Sequence, residues 1–392
     1  MTKLLILGGD ADANLGDAGI LAAVCHGFVE AERSVAITIV SRRRHARELP
    51  GLVRVIAPGP RGFGALLAIA AQQDLVVFGG GGLLQDDDSR IKVPYWLARL
   101  SALKSLQRNI VGLSLGVGPL QHAESRACAR LICDLLRSVS VRDEFARRWL
   151  QPCSNRPVPV VPDPAFMLRP AASEIATDFI RSLGLPLDRP LLGVTVRGWF
   201  HRRGGFVPRK LVARLGIQSD YGHAERARLT ASLGSEIRRL ARQLDAAVLL
   251  MPSYRLAHEG DLQACQGLLA GLLGVRAAMA LIDDPALYKA VAGRLTLMVS
   301  ARMHPLIFAA SMGVPVVGLS YNGKFEGVFR LLGLQDQLLE LQNLSVEAQE
   351  GWLEKPVRAA LDHSGDLRQR CTLLAERVRD HTAGLLPSSS GA

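Results

Sequence analysis

A chain of 392 residues has room for two domains, each with its own core, and 48% hydrophobic residues exclude a mainly disordered polymer. The longest apolar stretches, such as LLAGLLGV from Leu268, fall short of the roughly 20 residues a bilayer span needs, and the first residues read as a strand rather than a signal peptide, so a cytoplasmic location is expected. A formal net charge of +11 points to anionic partners, namely nucleic acid, an anionic membrane face or phosphorylated substrates; with 5% aromatic residues and no RNP-like or helix-turn-helix signal, nucleic acid is disfavoured.

Along the chain, apolar strand-like runs alternate with helical ones. The first series is KLLILGG from Lys3, VAITIVS from Val35, VRVIAP from Val53, LVVFGGG from Leu75, IVGLSLGVG from Ile110, SVSVRD from Ser138 and VPVVPDP from Val158. After a break come LLGVTVR from Leu191, AAVLLMPS from Ala246, MALID from Met279, LTLMVS from Leu295 and VPVVGLS from Val314. Continuous apolar runs separated by helices imply strands buried on both faces of parallel sheets. Two such series predict an α/β protein with two Rossmann-like domains, at residues 1–170 and 191–365. The Pro-rich and acidic stretch from Pro164 to Pro190 contains one helix-like segment (SEIATDFIRSLG), and residues 171–190 within it form the expected linker. Residues 366–392 are expected to supply a helix near Leu367 to Thr382, packing back on the first half, and a disordered SSSGA tail.

In open parallel sheets, ligands bind beyond the carboxyl ends of the strands, so the turns there are where chemistry belongs. The first is GGDADANLGDAGI, Gly8 to Ile20, where Asn14 or Asp17 caps the following helix or meets a substrate. It lacks the GxGxxG spacing, and strand two ends in SRRR with no acidic residue for a ribose. A nicotinamide dehydrogenase is therefore disfavoured, although those arginines could accept a 2′-phosphate. The second is FGGGGLLQDDD, Phe78 to Asp88, where the glycines Gly79, Gly80, Gly81 and Gly82 make room for a ligand or a facing backbone. SLGVGP, Ser114 to Pro119, follows the same logic more weakly. In SARMHP, Arg302 and His304 stand at a strand-to-helix turn, where helix amides favour an anion, an arginine fork can hold carboxylate or phosphate, and a histidine can move a proton. The alternative is that Arg302 pairs with a structural acid and His304 merely caps the helix. The six cysteines show no CxxC pair and no His partner at zinc-ligand spacing, so packing thiols and no metal site are expected.

NLGDAGI, LVVFGGGGLLQD, GLSLGVGP, SVRDEFA, VPDPAF, VTVRGW and SARMHPLIFAASMGVPVVGLSYNGKFEGV, taken together and in this order from about Leu4 to Leu334, resemble the polysaccharide pyruvyl transferase family. The resemblance implies a fold like the two-domain GT-B glycosyltransferases with an interdomain cleft. It also implies transfer of an enolpyruvyl-derived group from phosphoenolpyruvate to a sugar as a ketal, with phosphate as product and no cofactor. Arg302 and His304 match the family's R-x-H pair, Arg197 the arginine of VTVRGW, Asn14, Gly16 and Asp17 its NxGD element, Gly79 to Gly82 its glycine cluster, and Lys324 its Y-x-x-K. Asp143 and Asp163 match as well. The stretch from Gly198 to His223 is longer and more basic than the family pattern, which leaves the acceptor open.

On this reading His304 is the general acid/base, Arg197 and Arg302 clamp phosphate and carboxylate, and Asp17 or Asp86 deprotonates a sugar hydroxyl. Asn14, Gly16, the four glycines, Asp86 and Lys324 line the substrate site. The expected partners are phosphoenolpyruvate and a sugar acceptor on a glycan, which could be lipid-linked. For a lipid-linked acceptor, Arg42, Arg43 and Arg44 with Arg202 and Arg203 would hold an anionic membrane surface. The rival readings are a GT-B glycosyltransferase or sugar-nucleotide epimerase, and a non-enzymatic anion binder.

Overall fold

The computed structural model describes residues 1–9, 11–41, 49–87, 89–198, 223–254, 260–321, 323–341, 350–362 and 364–387. The first half runs β1 (Thr2–Leu7), α1 (Leu15–Ala31), β2 (Val35–Val40), β3 (Leu52–Ile56), α2 (Pro60–Ala70), β4 (Leu75–Gly79), β5 (Gly82–Leu84), α3 (Lys92–Lys104), β6 (Ile110–Val117), α4 (Ala123–Leu135), β7 (Ser138–Val141) and α5 (Glu144–Leu150). Then follow α6 (Ser173–Ser182), β8 (Leu191–Thr195), α7 (His223–Gln243), β9 (Ala247–Leu250), α8 (Asp261–Gly271), β10 (Ala277–Met279), α9 (Pro285–Ala292), β11 (Leu297–Ser300), α10 (Met303–Ser311), β12 (Val316–Ser320), α11 (Lys324–Leu332), β13 (Leu338–Glu340), α12 (Glu354–Asp362) and α13 (Leu367–Ala383).

The strands form two wholly parallel sheets, ordered β3-β2-β1-β4-β6-β5 with β7 also on β6, and β10-β9-β8-β11-β12-β13. The apolar runs explain why: β4, β6 and β8 are buried at every residue, which requires helices on both faces. In the first sheet, Leu5, Val76 and Phe78 face Leu66 of α2, Leu100 of α3 and Ile132 of α4. The opposite face, Leu4, Ile6 and Ile37, shares one core with α1, with Val291 and Phe308 of the second half, and with Leu374 and Val378 of α13. The far face of the second sheet is closed by Ile237, Leu268 and Val357. A single core thus runs through the junction, and α13 packs on α1.

Two expected strands and one expected turn come out differently. VPVVPDP makes only a bridge between Val141 and Val160, then a one-turn 3-10 helix, Pro164–Met167. Pro157, Pro159, Pro162 and Pro164 cannot donate to a ladder, which is why the run fails as a strand. The glycine turn is interrupted by the short β5, and β10 begins two residues before MALID, sharing only Met279 with it. β13, at the edge of the second sheet, was not anticipated.

All six cysteines are free, and burial pushes the thiols of Cys25, Cys133, Cys265 and Cys371 up to about 12, so they pack rather than react. Among the described residues there is no cluster of His, Cys, Asp and Glu able to hold a metal ion, and no helix long and apolar enough to cross a membrane.

Lys289 of α9 is 3% exposed and donates to the carbonyls of Leu168 (2.7 Å) and Phe166 (3.3 Å), tying the second half to the 3-10 turn of the first. Burial lowers its ammonium from 10.5 to about 8. Between pH 8 and 10.5 the unfolded chain therefore holds a proton that the folded protein has released, so stability rises with pH across that window. Below pH 8 both states are protonated and the burial cost is fully present. In urea unfolding, wild type should gain on Lys289→Met by up to roughly 3 kcal/mol across the window; parallel curves would show that Lys289 titrates normally.

Candidate functional site

Strand order reverses between β1 and β4 in the first sheet and between β8 and β11 in the second. The crevice beyond such a switch point is where open α/β sheets bind ligands. The turns after these four strands carry Asn14, Gly16 and Asp17, then Gly79 to Gly82, then Arg197, then Arg302 and His304. The two switch points face each other, Gly16 of α1 lying against His304 of the β11–α10 turn; beside them the Leu15 amide donates to the Ser253 carbonyl of the β9–α8 turn at 3.1 Å, and Asn14 bridges Tyr254 of the same turn.

Asn14 is the N-cap of α1, its Oδ1 accepting from the Gly16 amide at 2.9 Å. That settles which residue caps the helix and starts α1 at the crevice. Gly16 is buried against His304; a Cβ there would lie 2.0 Å from Nδ1, so only glycine lets the ring rest on the helix backbone. A cavity lies beyond β1 and β4, lined in part by Gly8, Gly9, Asp17, Gly79 and Gly80. Asp17 is half-buried and wedged between two backbones, with an added Cβ at Gly9 or Gly81 coming within 2.6 or 2.5 Å of its carboxylate.

The glycine cluster has protein neighbours throughout. A Cβ on Gly79 would meet the Leu113 carbonyl at 2.4 Å, and Gly80 and Gly81 sit at φ of +82° and +85°, where a side chain is strained. Gly82 faces the Gln85 side chain. Of the two options read from the sequence, a facing backbone accounts for Gly79.

Asp86 is reassigned. It is 1% exposed, and its two oxygens accept from the Gln121 and His122 amides at 3.0 and 2.9 Å, so it anchors the turn into α4. Asp17 is the better candidate for the group that takes a hydroxyl proton.

In the second half, Ser300 shapes the β11–α10 turn, its Oγ accepting from the Arg302 amide and donating to the Arg302 carbonyl. The Arg302 guanidinium is held by Asp261: Nε lies 3.1 and 3.0 Å from its two oxygens, and Nη2 also donates to it. Asp261 is fully buried and also accepts from the Tyr254 amide at 3.1 Å, while the Tyr254 ring lies 5.1 Å beneath the guanidinium. The acidic partner foreseen as the bland alternative is therefore present, and any anion held by Arg302 must share it with Asp261. Arg197, 2% exposed, stacks 4.1 Å over the Tyr321 ring. Lys324 reaches across the junction to Gln85 and to Asp87, the latter at 3.2 Å.

Behind His304 lies a buried charge network. Asp163 Oδ2 is 3.7 Å from His304 Nε2 and 3.5 Å from Arg142 Nη1; Arg142 Nε donates to Asp143 at 3.1 Å. Burial raises the Asp143 carboxyl above its ordinary range despite Arg142. Burial acts likewise on Asp163, but His304, Arg142 and the Ala165 amide outweigh it and hold that carboxyl low.

The sequence thus brings Asn14, Gly16, Asp17, the glycines, Arg197, Arg302, His304 and Lys324 to one junction. It did not disclose Asp261 or Tyr254, which carry no motif of their own; Tyr321 belongs to the Y-x-x-K element, but that element did not reveal its stacking against Arg197. Arg42 to Arg44, Arg202, Arg203 and the SSSGA tail lie outside the described residues, as does most of the basic stretch from Gly198 to His223.

The sequence profile of the polysaccharide pyruvyl transferase family matches residues 14–323. Among solved structures, the chain resembles the UDP-GlcNAc 2-epimerase of Neisseria meningitidis bound to UDP-GlcNAc, at 14% identity and a TM-score of 0.58, over 97% of this chain and 100% of that one. It also resembles the sucrose-phosphate synthase of Thermosynechococcus elongatus, at 15% and 0.57 over 98% of both chains. The UDP-GlcNAc 2-epimerase of Methanocaldococcus jannaschii gives 13% and 0.58, over 96% of this chain and 100% of that one. At such identities the likeness speaks for the fold alone, a GT-B-like pair of α/β domains. No curated protein matches the sequence closely enough to count as a relative.

Proposed function

The chain belongs to the polysaccharide pyruvyl transferase family, and on that premise we propose that it transfers the carbon skeleton of phosphoenolpyruvate to two hydroxyls of one sugar, forming a cyclic ketal and releasing phosphate. The observation that carries this reading is the pairing of the two switch points, with Arg197, Arg302 and His304 on one side and Asp17 and the glycine turns on the other. An anion such as phosphoenolpyruvate suits the cationic side, and a neutral sugar suits the other.

In this mechanism the protonated His304 delivers a proton to C3 of phosphoenolpyruvate, and positive charge develops at C2. The first sugar hydroxyl adds to C2 as Asp17 takes its proton. The C2–O bond to phosphate then breaks, the second hydroxyl attacks, and the ketal closes. Of the two hydroxyl protons, one balances the new methyl group and the other leaves with phosphate. Arg197 and Arg302 hold the carboxylate and the phosphate through charge-assisted bonds, and the part-buried site strengthens both.

Phosphate release from phosphoenolpyruvate, measured against a panel of glycans and glycolipids, tests the reading. Release is expected with one acceptor class, together with a rise in melting temperature on adding phosphoenolpyruvate alone. A melt that responds only to UDP-sugars would instead support a glycosyltransferase or epimerase. A lipid-linked acceptor would add an anionic membrane surface as partner, which flotation on anionic liposomes at low and high salt decides.

A further inference from the structure

Asp163 belongs to the first half and His304 to the second, and the two meet only because the halves are joined. The His304 ring is bounded on one side by the Gly16 backbone and on the other by Phe308, whose ring centroid is 6.4 Å away. Nε2 is buried and makes no hydrogen bond to the described residues; the carboxylate of Asp163 stands 3.7 Å from it.

Asp163 is itself fixed from three directions. It caps the 3-10 turn Pro164–Met167, Oδ1 accepting from the Ala165 amide at 3.0 Å. The far end of that turn is held by Lys289 through the Phe166 and Leu168 carbonyls. Arg142, 4% exposed and bonded to Asp143, stands on the remaining side. Around this carboxylate, 1% exposed, the charged groups are Arg142, Asp143 and His304, and of these Arg142 and His304 are the ones that hold it ionised. The prolines that stop VPVVPDP from being a strand make the turn that aims it.

We infer that Asp163 is a positioning residue that orients the His304 ring across the domain junction, so that the proton-transfer group is complete only when the two halves are packed together. A carboxylate behind an imidazole fixes which ring nitrogen carries the proton and where the other one points. The inference rests on the pyruvyl transfer reading for its kinetic consequence, but not for its geometry.

The test is a double-mutant cycle in the full chain. Asp163→Asn should lower kcat roughly 10- to 100-fold with the KM for phosphoenolpyruvate little changed, and should cost nothing further in a His304→Ala background. Asp163→Glu, which keeps the charge, should recover part of the loss. An equal cost in both backgrounds overturns the inference, because a role in folding alone does not depend on His304. If Asp163→Asn fails to fold, the same comparison is made with Asp163→Glu. Independently of turnover, the His304 ring signal in a histidine side-chain NMR spectrum should move in folded Asp163→Asn. An unmoved signal also overturns the inference. If wild type transfers no pyruvyl group to any acceptor but the ring signal moves, the proposed function fails while the positioning role stands.

Discussion

His304→Ala is expected to give a folded protein whose kcat is about 10²- to 10⁴-fold below wild type, the range for loss of a general acid/base. The KM for phosphoenolpyruvate should change little, since a proton-transfer group acts mainly in the transition state. Some stability should be lost too, because the buried Asp163 then keeps only Arg142 as a counter-charge, but the loss should stay below the effect on turnover, since the ring is 12% exposed and Nε2 makes no hydrogen bond to the described residues. Alanine leaves the Gly16 backbone with a gap rather than a clash. If the histidine only packs, the pattern inverts: the melting temperature falls and the surviving folded fraction turns over normally. Steady-state kinetics with thermal melts on the one variant separate the two.

Much of this fold and site was legible because both rest on local patterns. Continuous apolar runs such as LVVF and LLGVT can be satisfied only in a parallel sheet, and the turns after such strands are the natural places for a ligand. That logic placed Arg302 and His304 at the end of β11, whereas Arg197, at the end of β8, was singled out only by the family resemblance. It failed where tertiary geometry decides. Asp86 sits beside the glycine turn in sequence, yet two amides from the β6–α4 turn claim its oxygens. Asp261 lies 41 residues from the arginine it holds, and neither residue carries a signal of the other. β5 and β13 are three residues each, too short for a periodicity to show. VPVVPDP was misread because its valines favour a strand while its prolines forbid the ladder.

Arg302 and Asp261 should separate stability from function. Asp261 is fully buried and its partner's side chain is 13% exposed, so Asp261→Asn leaves a guanidinium in a low-dielectric site without its counter-charge. Breaking a buried pair from one side typically costs about 3 to 5 kcal/mol, and the amide also weakens the contact with the Tyr254 amide. The variant should therefore melt well below wild type. Arg302→Lys should behave differently. The ammonium keeps the charge beside Asp261, so less stability is lost, but it cannot engage both carboxylate oxygens and a ligand in one plane as the fork can. Its kcat/KM for phosphoenolpyruvate should fall at least 10-fold, with KM rising, while its melting temperature stays above that of Asp261→Asn. The comparison needs only thermal melts and initial rates on the two variants. Should Arg302→Lys lose melting temperature yet turn over with normal KM, Arg302 is a structural partner of Asp261, and anion binding falls to Arg197 and Lys324.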